Sequence, residues 1–312
     1  MSPRRVLVTG GAGFIGSRLA AQLRARGDEV VVLDDLSTGR REKLPEGARL
    51  IVGDVRDGAA LEAALEGVEV VFHLAARVSI RGSIEGFRDD HDVNLGGTLA
   101  LLAALPGSAV RRVVYASSMA VYADSPDGAR VGEEHPTRPL SPYGVSKLAS
   151  EHYLRVMGPR LGVEHVSLRY FNTWGPGQEL TPYVGVATIF VNALLDGRTP
   201  TLFGDGAQTR DFVFVDDVAR ATLRAGEAPL GEPVLNVGTG RGTTVRALLE
   251  QIADALGVPP RAERAPARPE ELRHSVADPT RIERALGVGD WAPLDLAPLV
   301  AHWREHRPPD RR

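Results

Sequence analysis

The chain has 312 residues, 43% of them apolar and 25% charged, enough for one large core or two joined ones. A formal net charge of −3 gives no basic footprint for nucleic acid, and the lack of cysteine removes disulfides, thiolate metal sites and a cysteine nucleophile together. No run approaches the roughly 18 apolar residues of a membrane span, and the N-terminus enters an apolar strand without a signal-peptide pattern. The expectation is a cytoplasmic protein with no metal site.

The first half alternates short apolar runs with helical patterns, which predicts βαβ units and a parallel sheet. Strands are expected at Val6–Val8, Val30–Leu33, Leu50–Val52, Val70–Leu74, Val113–Ala116 and Val166–Tyr170. Helices are expected at Ser17–Arg26, Leu61–Leu65, Thr98–Leu105 and from Pro142 through Met157, proline suiting a first helical turn. Beyond about residue 172 the alternation loosens, with helices at Val186–Leu195 and Thr244–Leu256. The predicted fold is α/β: a doubly wound Rossmann sheet over residues 1–172, to which a segment near 206–242 returns. A smaller mixed α/β substrate lobe is made mainly of residues 173–312. The polar tail from Arg304 reads as a frayed terminus.

Arginine greatly outnumbers lysine: the Lys+Arg total is 37, and the lysines are Lys43 and Lys147. Arginine serves wherever a generic surface cation will do, so each remaining lysine calls for a specific explanation.

The run Thr9-Gly10-Gly11-Ala12-Gly13-Phe14-Ile15-Gly16 lies between the first strand and the first helix. Gly10, Gly13 and Gly16 allow a tight turn and bring a pyrophosphate to the positive helix N-terminus. A glycine triplet alone is weak, but here strand, helix and a downstream acid agree. That acid is Asp34, whose carboxylate suits ribose hydroxyls and repels a 2′-phosphate, which favours NAD over NADP. Its plainer reading is a turn residue, and the nearby Arg40 and Arg41 soften the exclusion of NADP. Asp54, after the third strand, is either a turn carboxylate or an acceptor for the adenine amino group.

Tyr143 and Lys147 are four residues apart on a predicted helix and so share one face. A free tyrosine, with a pKa near 10, is no base at neutral pH, and a neighbouring ammonium lowers that value. The pair recurs on ordinary amphipathic helices. Downstream of a dinucleotide fingerprint, and holding one of two lysines, it points to catalysis. Ser117 and Ser118 follow the fifth strand at its carboxyl end, where doubly wound sheets place their ligands. A serine there either closes a strand-end turn or bridges tyrosine and a substrate hydroxyl.

Taken together these residues resemble the extended short-chain dehydrogenase/reductases, and within them the nucleotide-sugar epimerases of the UDP-galactose 4-epimerase type. The resemblance spans nearly the whole chain. It is carried by His73-Leu74-Ala75-Ala76, Asn94 within Asp92–Thr98, Ser118–Tyr122, Tyr143-Gly144-Val145-Ser146-Lys147 and Arg169-Tyr170-Phe171-Asn172. Gly204–Phe212 and Asn236–Gly240 extend it into the second half. It implies Ser118, Tyr143 and Lys147 as the catalytic set. Around NAD it places Gly10, Gly13, Phe14, Ile15, Gly16 and Asp34, then Ser37, Thr38, Gly39, Asp54 and Val55. Leu74, Ala75, Ala76, Asn94, Ser117, Tyr170 and Phe171 complete that pocket, with Tyr143 and Lys147. It implies that Asn172, Arg210 and Arg268 hold the sugar-nucleotide diphosphate, and that Ser275 gates the space beside the sugar 2-substituent. His73 reads as structural, since Tyr143 fills the acid–base role.

The group includes epimerases, 4,6-dehydratases, decarboxylases and ketoreductases, so fold cannot decide the reaction. Dehydratases follow the catalytic hydroxyl residue with an Asp-Glu pair, and the decarboxylases carry a glutamate at the place of Ala120. Here Met119 and Ala120 carry no proton. Epimerisation at C4 of a UDP-sugar is therefore expected, with NAD regenerated each turnover. The alternative is a 4-ketoreductase of a dTDP- or UDP-4-keto sugar, and a scaffold that merely binds cofactor ranks last. Glu270 stands where glycine is usual, and Gln178–Thr181 matches no family pattern. A homodimer is expected through Leu99–Leu105 and Leu148–Met157.

Overall fold

The computed structural model describes residues 3–125, 127–180, 184–229, 231–269 and 271–306. Strands β1 (Arg5–Thr9), β2 (Glu29–Asp34), β3 (Arg49–Val52), β4 (Val70–His73), β5 (Arg112–Ser118) and β6 (Glu164–Tyr170) alternate with helices. The helices are α1 (Phe14–Ala25), α2 (Gly58–Leu65), α3 (Ile80–Glu85), α4 (Phe87–Ala104) and α5 (Pro142–Met157). The remainder comprises β7 (Asn172–Trp174), α6 (Val186–Leu195), β8 (Thr201–Phe203), β9 (Thr209–Phe214), α7 (Val215–Ala225) and β10 (Val234–Val237). It ends with β11 (Gly242–Thr244), α8 (Val245–Leu256), β12 (Glu263–Ala265), β13 (His274–Ser275), α9 (Thr280–Leu286) and α10 (Ala297–Glu305).

The main sheet is seven-stranded and parallel, in the order β10-β6-β5-β4-β1-β2-β3. Its apolar strands are covered on both faces, as a parallel sheet requires. One face packs Val6, Val8, Phe72 and Val166 against α1, α7 and α9; the other packs Leu7, Val71, Val113 and Tyr115 against α2, α4 and α5. The chain leaves β1 for β2 on one side and reaches β4 on the other. That reversal opens a crevice at the carboxyl ends of β1 and β4. A smaller sheet joins β11, β9 and β13, with β7 on β9, and a third core gathers Trp174, Phe190, Phe212, Leu248 and Trp303. β10 returns to the main sheet beside β6, while β9 belongs to the smaller one.

Two helical expectations need correction. α4 begins at Phe87 rather than Thr98, and α3 precedes it. The Asp-rich start and the Gly96-Gly97 pair hide the helix from a propensity reading. The helix nonetheless needs Gly97, where a Cβ would stand 2.6 Å from Val55 Cγ1. β5 also continues through Ser118, so both serines are strand residues. α10 takes in Arg304 and Glu305, so the expected tail does not begin at Arg304; residues 307–312 lie outside the described residues.

Candidate active site

The glycine loop turns where β1 meets α1. Gly10 has φ +68, and a Cβ there would lie 2.7 Å from Ala75 N, so the Leu74–Ala76 segment seats directly on the loop. A Cβ on Gly16 would lie 2.2 Å from Gly10 O, so helix and strand meet only through glycine. Gly13 caps α1 with no side-chain hydrogen bond, and the first turn, which holds Phe14 and Ile15, has no acid. Its free N–H groups and the helix dipole suit a pyrophosphate. The site fits NAD on this observation.

Asp34, at the end of β2, accepts from Ala12 N and Leu36 N, both at 2.9 Å, and burial raises its pKa. The Ser37–Gly39 turn, which includes Thr38, folds back over it: Arg40 N donates to Ala12 O at 2.9 Å, and a Cβ on Gly39 would meet Asp34 Oδ1 at 2.7 Å. Leu36 holds φ 59, a costly conformation for a non-glycine residue, placed beside this carboxylate. Asp54 is engaged by Arg56, at 2.9 and 2.5 Å, as a turn carboxylate. Val55 is buried against α4.

Lys43 donates to Gly177 O at 2.8 Å and to Glu179 Oε1 at 2.7 Å. It thereby ties the loop after β2 to the segment after β7, where Arg18 also holds Pro176 O at 3.1 Å. Thr181 and Glu270 lie outside the described residues.

Tyr143 and Lys147 project from one face of α5 and are 7% and 2% exposed. Ser118 lies near the Tyr143 phenol, and its side chain favours the phenolate. Lys147 donates to Ala116 O at 2.8 Å, with its Nζ 4.9 Å from the Tyr115 ring centroid and 5.8 Å from that of Tyr143. The three side chains thus meet at the carboxyl end of β5. Burial pushes the Tyr143 phenol up to about 12, against Ser118, which lowers it, and with Asp90, which raises it. A phenolate loses hydration in this buried place. Burial likewise brings Lys147 down to about 8, against Asp90 and Glu151, which raise it.

His73 is structural, as expected. It bonds to Thr9 Oγ1 at 2.8 Å and Thr98 Oγ1 at 3.2 Å, and burial holds its pKa near 3, so the ring stays neutral. Several other side chains implied for the cofactor pocket already have protein partners. Ser117 donates to Glu151, and the Tyr170 hydroxyl meets Thr222 Oγ1 at 2.7 Å. Asn94 pins the backbone of Arg77, accepting at 2.9 Å and donating at 3.1 Å. Phe171 packs toward Tyr122, ring centroids 6.5 Å apart.

Arg210 and Arg268 converge on one carboxylate, donating to the two oxygens of Glu271 at 3.4 and 2.9 Å. Arg268 lies flat on Phe203, 3.4 Å from its centroid. Burial lowers the pKa of Arg210, against Glu271 and Asp124, which raise it. Asn172 Oδ1 and Ser275 Oγ are buried without a hydrogen-bond partner among the described residues, and Ser275 registers beside Arg210 across the β9–β13 pair.

Sequence reasoning missed Glu151, Arg169 and Asp90. Glu151 accepts from Arg169 at 3.0 and 2.7 Å, both side chains buried. Its signal was available: Tyr143, Lys147 and Glu151 recur at intervals of four on one helix.

A glycine-lined, uncapped helix start facing a switch-point crevice, beside a Ser–Tyr–Lys cluster, defines an NAD-dependent enzyme that moves hydride at a hydroxyl-bearing carbon. Residues 6–238 match the model of the NAD dependent epimerase/dehydratase family, and the chain belongs to that family. It is 41% identical over 295 residues to a UDP-glucose 4-epimerase of Mycolicibacterium smegmatis, covering 93% of each chain. Among solved structures it resembles a Thermus thermophilus UDP-glucose 4-epimerase in complex with NAD. There the TM-score is 0.89 at 42% identity, covering 97% of this chain and 99% of that one. A UDP-N-acetylglucosamine 4-epimerase from Methanobrevibacter ruminantium, in complex with UDP-N-acetylmuramic acid, gives a TM-score of 0.89 at 33% identity, covering 98% and 99%.

Proposed function

We propose that the protein interconverts the C4 epimers of a UDP-linked hexose or N-acetylhexosamine. The observation that carries this is the meeting of Ser118, Tyr143 and Lys147, with Met119 and Ala120 beside them unable to move protons at C5 or C6. NAD, when bound, accepts and returns the C4 hydride. Ser118 holds the 4-hydroxyl, and Tyr143 takes its proton and gives it back. Lys147 supplies the positive charge that favours the phenolate. Arg210, Arg268 and Asn172 grip the diphosphate, so the 4-keto sugar turns about that linkage without leaving. Tight nucleotide contacts and loose sugar contacts suit a reaction that must present both faces of one ring. The small Ser275 beside Arg210 leaves room for an acetamido group, which favours UDP-N-acetylhexosamine among the substrates.

The test is to supply UDP-glucose, UDP-N-acetylglucosamine and UDP-glucuronate without added cofactor, following sugar composition and nicotinamide absorbance together. The expected result is a C4 epimer with no net NADH. If no epimer forms while added NADH is consumed by a 4-keto sugar nucleotide, the protein is a ketoreductase instead.

We also propose residues 1–172 with 206–242 as the cofactor domain, a cytoplasmic location that draws on the NAD pool there, and a homodimer. The α5 surface supports the last: Val145, Tyr153 and Val156 are 53%, 45% and 41% exposed. Tyr153→Glu should convert a dimer into a monomer by light scattering. A wild type already monomeric, or a variant still dimeric, argues against this face.

A further inference from the structure

Lys147 is a buried cation whose ammonium donates to a main-chain carbonyl, Ala116 O, which carries no full charge. A buried charge needs an opposing one. Around it stand His73 from β4, Tyr115 from β5, Tyr143 and Glu151 from α5, and Asp90 from α4. His73 is neutral and Tyr115 is a phenol pushed far up by burial. The charge of Glu151 is matched by Arg169, whose guanidinium takes both its oxygens. Asp90 differs. It is 2% exposed, and its oxygens accept from two neutral donors, Asn94 Nδ2 at 3.0 Å and Ser146 Oγ at 3.1 Å. Arg77, whose charge also favours ionised Asp90, pairs with the exposed Asp89 at 3.3 Å.

We propose that Asp90 is the counter-charge of Lys147 and, through it, a positioning residue of the Tyr143–Lys147 pair. Ser146, the neighbour of Lys147 on α5, and Asn94, one turn along α4 from Asp90, hold the carboxylate on the side of α4 that faces α5. The two helices are thereby joined by charge as well as by packing. Burial works against ionisation of Asp90, while its two hydrogen bonds and Lys147 favour it. The assignment makes Asp90 restrain Tyr143 in the opposite sense, since the same negative charge opposes the phenolate. The proposal rests on the reading of Tyr143 and Lys147 as the reacting pair.

A chain with two lysines makes the test direct. In the NAD-loaded protein labelled with ε-carbon-13 lysine, NMR shows two side-chain signals, and Lys43→Arg assigns them. Asp90→Asn, which keeps shape and hydrogen-bonding capacity, should lower the Lys147 titration midpoint by about one pH unit or more, the usual influence of a close buried charge. Turnover, where a UDP-sugar is converted, should show both limbs of its pH profile displaced to lower pH, because Lys147 and Tyr143 each lose a proton more readily. Ser146→Ala removes one hydrogen bond and leaves the carboxylate in place, so the Lys147 midpoint should move clearly less than in Asp90→Asn. A midpoint unmoved in Asp90→Asn overturns the proposal, as does one moved equally by Ser146→Ala. If Lys147 titrates as expected but no UDP-sugar is converted, the substrate reading falls and the electrostatic one stands.

Discussion

Tyr143→Phe should cut turnover by roughly 10²- to 10⁴-fold, the usual contribution of a positioned proton-transfer group, while NAD stays on the protein. Phenylalanine keeps the ring in its buried place and removes one hydroxyl, near Ser118. Losing one polar contact changes stability by only about 1 kcal/mol. Folding and catalysis are therefore separable in this variant. The reaction needs a group that takes the 4-hydroxyl proton and returns it, and Met119 and Ala120 offer none. The check is the rate of epimer formation alongside the NAD released on denaturation. A variant retaining more than about a tenth of wild-type turnover would mean that another group moves the proton.

Gly144→Ala should be nearly as damaging, although it adds a single methyl group. That carbon would stand 2.3 Å from Ala120 O and 2.8 Å from Pro139 Cβ. Ala120 follows Ser118 in a short 3-10 turn, and the start of α5 seats directly on that turn. A carbonyl oxygen cannot yield as a flexible side chain would, so the helix must back away and carry Tyr143 from Ser118. A displacement near 1 Å at a reacting centre costs about 100-fold in rate. Overpacking adds about 1–3 kcal/mol of destabilisation. Turnover and thermal midpoint together test this: both should fall, turnover more steeply. Unchanged turnover would show that α5 can shift without disturbing the pair.

Gly144 also marks where sequence reading stopped. The Tyr143–Lys147 spacing was visible because helical periodicity is a local property, and the glycine loop because strand, turn and helix are contiguous. Gly144 reads only as a weak helix residue, since its reason is a carbonyl 24 positions upstream that becomes a neighbour through folding. Asp90 escaped for the same cause: it is one of several acids in a polar stretch, and its lysine lies on another helix. The Arg210–Glu271–Arg268 cluster shows the middle case. Both arginines carried a family signature, but the carboxylate between them emerges only when β9 and β13 pair. The smaller lobe was least legible, because its short strands, such as β8 and β12, find partners about sixty residues away.

The placement of the two lysines gives the molecule an unusual chemical surface. Reagents that acylate primary amines normally decorate a protein everywhere, but here the side-chain targets are two. Lys43, 23% exposed, is the knot between the loop after β2 and the arm after β7; Lys147, 2% exposed, is sealed on α5 beside Tyr143. Modification of the first unties that loop from the arm, and modification of the second requires α5 to part from β5. Amine acylation is thus a built-in gauge of breathing at two separate places.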